Sequence, residues 1–180
     1  MTKLELEQCM DAHGKEIYSF CKSLTGNQME ADDLYQDTFL TAMEKDDKIH
    51  MEGNPKSYLL SVAVRLWKNR KRKFAWRNRI AGMETFVDGW EEHAAESVWQ
   101  DSPEEIFFGE EEKQIVRHAV RGLPEKHRVV VLLFYMEEMT VAEIAAVLKL
   151  PQGTVKSRLH HARQQLQNEL EVVLNEKRNG

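Results

Sequence analysis

The chain has 180 residues, 42% of them hydrophobic and 31% charged, enough for one medium domain or two small ones, each with its own core. It holds no run of about 18 apolar residues, which excludes a membrane-spanning helix, and Met1 to Met10 does not read as a signal peptide. Cys9 and Cys21 are too few for a disulfide framework and suit a reducing compartment, so the expected location is cytoplasmic.

The net charge of −5 hides a strong segregation. Residues 1–50 carry five basic and eleven acidic side chains, and residues 51–80 carry nine basic and one acidic. Residues 81–113 reverse this with one basic and eleven acidic, and residues 114–180 carry ten and seven. Phosphate binding depends on local Lys and Arg density, so two basic islands in an acidic chain are compatible with nucleic acid.

In chain order, Thr2 with Glu5 forms a capping box, and Leu6, Met10, His13, Ile17, Phe20 and Leu24 follow at helical spacing. Thr25-Gly26-Asn27 stops that helix. Asn27 then caps a second helix from Gln28 to Met43, with Ala31, Leu34, Tyr35, Thr38 and Ala42 inward and Asp32, Asp33 and Asp37 outward. After a loop, Asn54-Pro55 opens a third helix, with Tyr58, Leu59, Val62, Ala63 and Leu66 inward. From Arg65 it becomes basic, through Lys68, Arg70, Lys71, Arg72, Lys73, Arg77 and Arg79, interleaved with Trp67, Phe74 and Trp76. This density exceeds what a helix dipole needs and points to nucleic acid, although a solvated helix end has the same composition. Trp67 fits either a base-stacking platform or the core.

Residues 81–103 read as an acidic linker with aromatic anchors Phe86, Trp90 and Trp99. Ser102-Pro103-Glu104-Glu105 restarts helix, with Ile115, Val116, Ala119 and Val120 inward and Gly122 at its end. Pro124 opens a further helix through Met136; its run Val129 to Phe134 also fits a buried strand, but short Pro-bounded flanks between helices favour helix. Thr140-Val141-Ala142-Glu143 is another capping box, starting a short helix with Ile144, Ala145 and Leu148 buried. Lys149-Leu150-Pro151 makes a turn, and the last helix runs from Gln152 with Val155, Leu159, Ala162, Leu166 and Leu170 on one side. Strand-period alternation is missing throughout. The expected fold is all-α: an N-terminal domain over residues 1–80, the linker over 81–103, and a C-terminal domain over 104–180 containing a helix-turn-helix.

In a helix-turn-helix the second helix enters the major groove and its N-terminal half meets base edges. At 100° per residue, the side opposite Val155, Leu159, Ala162 and Leu166 holds Ser157, His160, His161 and Gln164. Lys156 and Arg163 flank one edge, and Thr154 and Arg158 the other. Such a polar face rimmed by cations suits DNA, and a plain amphipathic helix shows the same periodicity. Cys9 and His13 lie four apart on one helix face, too sparse for a zinc site, and no cofactor motif occurs. Enzyme motifs are missing too. Adjacent acids such as Asp32-Asp33 diverge by about 100° on a helix and make poor catalytic pairs, so no catalytic residue is expected.

Leu123-Pro124-Glu125-Lys126-His127-Arg128, Met139 to Ala145 and Gly153 to Leu159 together resemble the C-terminal domain of sigma-70-family factors of the extracytoplasmic function (ECF) group. Ala31 to Leu40 resembles that group's polymerase-binding helix, and Tyr58 to Ala63 its promoter-melting helix. The resemblance implies a transcription initiation factor that binds core RNA polymerase through the β′ clamp and β flap, recognises promoter DNA and helps to open it. Asp33, Leu34, Gln36, Asp37 and Phe39 would then lie against the clamp. The loop from Asp47 to Asn54, with Arg65, Lys68, Asn69 and Arg72, would engage the −10 element. Thr154, Lys156, Ser157, Arg158, His160, His161 and Arg163 would serve the −35 element. The linker would thread toward the RNA exit path, and an anti-sigma factor is an expected partner. The chain departs from the family pattern at Arg65, where Asn is usual, at Asn69, where Asp is usual, and at Pro151, where a capping Ser is frequent. The alternatives are a helix-turn-helix regulator acting without polymerase and a helical interaction protein.

Overall fold

The computed structural model describes residues 3–44, 54–81 and 109–179. The Thr2 cap, the loop from Asp47, the acidic linker and the Ser102 helix start therefore lie outside the described residues. The chain divides into two compact units, Met1–Trp99 and Gln100–Gly180. Among the described residues every regular element is helical.

The first unit packs three helices, α1 (Lys3–Thr25), α2 (Gln28–Glu44) and α3 (Pro55–Ile80), each against the other two. Gly26, at φ +70, occupies the left-handed conformation that ends α1. Asn27 Oδ1 accepts from Glu30 N at 3.2 Å and starts α2 one residue later. The core takes Leu6, Cys9, Ile17, Phe20, Cys21 and Leu24 from α1, and Ala31, Leu34, Phe39 and Ala42 from α2. From α3 it takes Leu59, Leu60, Val62, Ala63, Val64 and Trp67. The buried Thr38 hydroxyl donates to the Leu34 carbonyl at 2.6 Å, so its burial leaves no orphan donor. Gly14 sits mid-helix because a Cβ there would lie 3.0 Å from the Tyr35 hydroxyl, and Tyr35 in turn packs on Tyr18 and Phe39. Polar ties join the helices at their rims: Tyr18 donates to Asp32, Lys56 pairs with Glu16 and Arg70 pairs with Asp37.

The periodicity of α1 misplaces Met10, which is 40% exposed, while Cys9 beside it is buried. In α3 the inward side also includes Leu60, Val64 and Trp67. Of the two roles open to Trp67, base platform or core, its 3% exposure selects core.

The second unit contains α4 (Glu110–Gly122), α5 (Glu125–Val131), α6 (Val141–Leu148) and α7 (Gln152–Asn179). The long α7 packs against α4, α5 and α6. The apolar run does not continue α5 to Met136 in one register: Leu132–Met136 widens into a π-helical turn, closed by Glu137 N donating to Leu132 O at 3.2 Å. The run is buried from Val129 through Leu133, whereas Tyr135 is 55% exposed. The widened turn thus ends the helix and carries the aromatic pair Phe134–Tyr135 toward the surface. On α4, Ala119 is buried but Val116 faces out.

Candidate nucleic-acid interface

The helix-turn-helix is built by local chemistry. Thr140 Oγ1 accepts from Glu143 N at 3.3 Å, and Glu143 Oε2 accepts from Thr140 N at 2.8 Å. This closed capping box fixes the start of α6, and the hydrogen bond from the Thr140 backbone holds the Glu143 carboxyl below its usual range. Lys149, at φ 54, adopts the left-handed conformation that ends α6, and Leu150 N donates to Ala145 O at 3.0 Å. Pro151 replaces a side-chain cap with its backbone: its carbonyl accepts from Thr154 N at 3.0 Å and Val155 N at 3.2 Å.

Val155, Leu159 and Ala162 of α7 are buried, which fixes the rotation of the helix about its axis. Lys156, Ser157, His160, His161, Arg163 and Gln164 then face solvent, and Thr154 and Arg158 are half-buried at the edges. The outward face is an unbroken polar surface over two helical turns. Arg163 is not a free cation at its rim. Its Nε donates to the Tyr135 hydroxyl at 2.7 Å, and its guanidinium lies 5.5 Å and 5.7 Å from the Phe134 and Tyr135 ring centres. Nor is His161 isolated. Its ring stacks on His127 of α5, with centroids 6.1 Å apart and planes 20° apart, while His160 meets it edge-on at 5.8 Å. Gln165 Oε1 lies 2.8 Å from His127 Nδ1. No sequence signal marks His127, Gln165, Phe134 or Tyr135 as part of this face. Their side chains reach it only through the packing of α5 and the π-helical turn on α7.

The second basic surface is on α3. Arg65, Lys68 and Arg72 are exposed, and Asn69 is half-buried with its Oδ1 accepting from Arg72 Nη2 at 3.1 Å. Asn54 is occupied as the cap of α3, its Oδ1 accepting from Lys56 N at 3.0 Å. Farther along, Phe74, Trp76 and Ile80 are exposed at 46%, 64% and 67%, so the cationic end of α3 also shows apolar surface.

On α2 the five residues assigned to a polymerase surface separate. Asp33, Gln36 and Asp37 face outward, with Asp37 paired to Arg70. Leu34 is fully buried and Phe39 is 5% exposed against Tyr35, so neither offers a face to a partner and both hold α2 in the unit. Cys9 and Cys21 are buried thiols outside any disulfide, and burial pushes the Cys9 thiol above its usual range. Among the described residues no cluster of His, Cys, Asp and Glu could hold a metal ion, and no helix is long and apolar enough to cross a membrane.

Two family models match, and they fall on the two units. Sigma-70 region 2 matches residues 9–77 and Sigma-70, region 4 matches residues 113–166, together more than half of the chain. The chain belongs to the sigma-70 family. Its relatives place it among the ECF sigma factors. The ECF RNA polymerase sigma factor SigW of Bacillus subtilis is 29% identical over 165 residues, 89% of this chain and 86% of SigW. The ECF RNA polymerase sigma factor SigL of Mycobacterium tuberculosis is 29% identical over 153 residues, 84% of this chain and 81% of SigL. Among solved structures, the sigma factor RpoE of Bartonella quintana, in complex with the anti-sigma factor NepR, superposes with a TM-score of 0.72 at 25% identity, covering 93% of this chain and 98% of that one. CnrH, in complex with the cytosolic domain of CnrY, superposes with a TM-score of 0.63 at 19% identity, covering 95% of this chain and 90% of that one, and shares the fold. In sigma-70 terms, α1 to α3 form region 2, and α4 to α7 form region 4 with its helix-turn-helix in α6 and α7.

Proposed function

We propose that this ECF sigma factor directs core RNA polymerase to promoters by dividing the work among three surfaces. The outward side of α2, through Asp33, Gln36 and Asp37, lies against the β′ clamp. The basic side of α3, through Arg65, Lys68, Asn69 and Arg72, engages the −10 element and the strand that separates there. The outward face of α7, through Lys156, Ser157, His160 and His161, reads the −35 element, with Thr154 and Arg158 on its phosphate edge. Arg163 contributes as a braced charge.

The observation that carries this reading is the outward face of α7. A buried stripe of Val155, Leu159 and Ala162 turns hydrogen-bonding side chains to solvent on the helix that a helix-turn-helix offers to the major groove. An autonomous regulator would need such a face too, but it gives no account of the separate region 2 unit with its basic α3. The protein performs no chemistry of its own in this scheme; the polymerase does, and the work takes place in the cytoplasm. The domain division follows the same logic: residues 1–80 for the clamp and −10 element, 81–103 as connector along the RNA exit path, and 104–180 for the −35 element and β flap. The RpoE structure contains an anti-sigma factor, NepR. By analogy an anti-sigma factor is the expected inhibitor here, and it would act by covering the α2 and α7 surfaces.

Run-off transcription with core RNA polymerase on a genomic promoter library, with and without this protein, tests the reading. New transcripts sharing an upstream and a downstream element are expected. Specific duplex binding by the protein alone, with no new start sites, would overturn it.

A further inference from the structure

The face assigned to the −35 element includes a side chain that does not belong to α7. His127 sits near the start of α5, in the segment that precedes the buried run, and its ring lies against His161. The two imidazoles are nearly parallel, at 20°, and His127 is tied back to α7 by the contact of its Nδ1 with Gln165 Oε1. His161 and Gln165 are four residues apart, hence neighbours one turn up on the same helix face. The His127 ring therefore bridges two successive turns of α7, stacking on one and bonding to the other. The Gln165 amide oxygen is an acceptor, so the 2.8 Å contact needs an N–H at His127 Nδ1.

An exposed side chain that must meet a base edge has to give up rotamer freedom when it binds. Among the described residues His160 meets the ring of its neighbour His161, whereas His161 is held between His160 and His127. A nearly parallel ring 6.1 Å away, with His160 on the other side, favours one plane of the His161 imidazole, and a favoured plane discriminates between base edges better than a freely turning one. We propose that His127, held by Gln165, is a positioning residue for promoter selectivity: it orients His161 toward the −35 base edges and does not itself supply the affinity. The proposal rests on the assignment of α7 to the −35 element.

The test is transcription by core RNA polymerase with the full-length protein on promoters randomised across the upstream element. The wild type is compared with His127→Ala, His161→Ala, the double variant and Gln165→Leu. His161→Ala should flatten the preference at one or two base pairs by roughly tenfold. His127→Ala should flatten the same base pairs by roughly threefold or more, leaving the others unchanged. In the His161→Ala background the loss of His127 should change nothing further, and Gln165→Leu should resemble His127→Ala in kind. His127→Phe, which keeps a ring in place, should recover part of the selectivity. Circular dichroism and melting of each variant register any loss of fold. Should His127→Ala unfold the unit, the Gln165→Leu and His127→Phe profiles decide the matter alone.

A uniform weakening of all promoters, or a His127 effect that persists without His161, would overturn the positioning role. If His161→Ala alters the preference while His127→Ala, His127→Phe and Gln165→Leu do not, this inference fails and the −35 assignment stands. Wild-type transcription indifferent to the upstream sequence would bring down both.

Discussion

Asp33 and Leu34 are adjacent in sequence and do opposite things. Asp33 is exposed on the outward side of α2, and Leu34 is fully buried beneath it. Leu34→Ala should therefore cost about 2–5 kcal/mol of stability by leaving a cavity, and it should weaken polymerase binding only as far as it unfolds region 2. Charge reversal at Asp33 and Asp37 should abolish polymerase binding with α-helical content unchanged. Binding assays beside urea unfolding separate the two, and a stable Leu34→Ala variant that no longer binds would contradict the division. Tyr18 offers a second residue-level check. Its phenol donates to the Asp32 carboxylate, and chiefly for that reason its pKa is pushed up to about 12 from an ordinary 10.0. A folded-state pKa above the unfolded one stabilises the fold below the unfolded value and loses that effect as pH rises toward the folded value. With Asp32 ionised, the stability advantage of wild type over Tyr18→Phe should thus hold steady from neutral pH to 10.0 and decline between there and about 12, followed by urea unfolding across that range. A gap that stays flat would mean the hydrogen bond does not form in solution.

At the scale of elements, the helix-turn-helix shows how far local signals reach. The capping box at Thr140, the turn at Lys149 to Pro151 and the stripe from Val155 are all written in the sequence, because each is set by residues three or four apart. The same wheel that buries Val155, Leu159 and Ala162 turns His160 and His161 outward, so most of the outward face of α7, proposed to read the −35 element, is legible from helical periodicity alone. The π-helical turn is not legible. Val129 to Leu133 are apolar on every side, which announces burial without fixing which carbonyl each amide will meet, and that register decides where Phe134 and Tyr135 point. For the same reason the brace on Arg163 and the stack on His161 escape sequence reasoning: both join residues about 30 positions apart through packing. Periodicity already turns Leu34 inward, against its assignment to the clamp by resemblance, while the burial of Phe39 escapes both, since motif resemblance groups residues by position along the chain and cannot separate the two sides of a helix. Lys149 makes a prediction of its own. A side chain at φ 54 carries a backbone cost that glycine avoids, so Lys149→Gly should stabilise region 4 by about 1 kcal/mol in denaturant unfolding. Destabilisation would imply that the lysine side chain holds the turn in a way its exposure does not suggest.

At the scale of the whole molecule, the charge map and the two family matches point the same way. Basic residues concentrate on α3 and on the helix-turn-helix unit, and acids dominate α2 and residues 81–113, so the net charge of −5 misleads about DNA. A chain of this pattern should bind free DNA weakly on its own, since its acidic segments oppose the phosphate backbone that its basic islands attract. In the proposed function one molecule reads two promoter elements at once while attached to polymerase, which makes the distance between those elements a property of the protein. The most direct measurement is a spacer series: transcription by core RNA polymerase with this protein on promoters whose −35 and −10 elements are separated by one additional base pair at a time, across a full turn of DNA. A single narrow optimum, with transcription lost when about five base pairs rotate the elements to opposite sides of the duplex, is the predicted result. Transcription that persists at every spacing would contradict it, since the two units would then not be reading one promoter together.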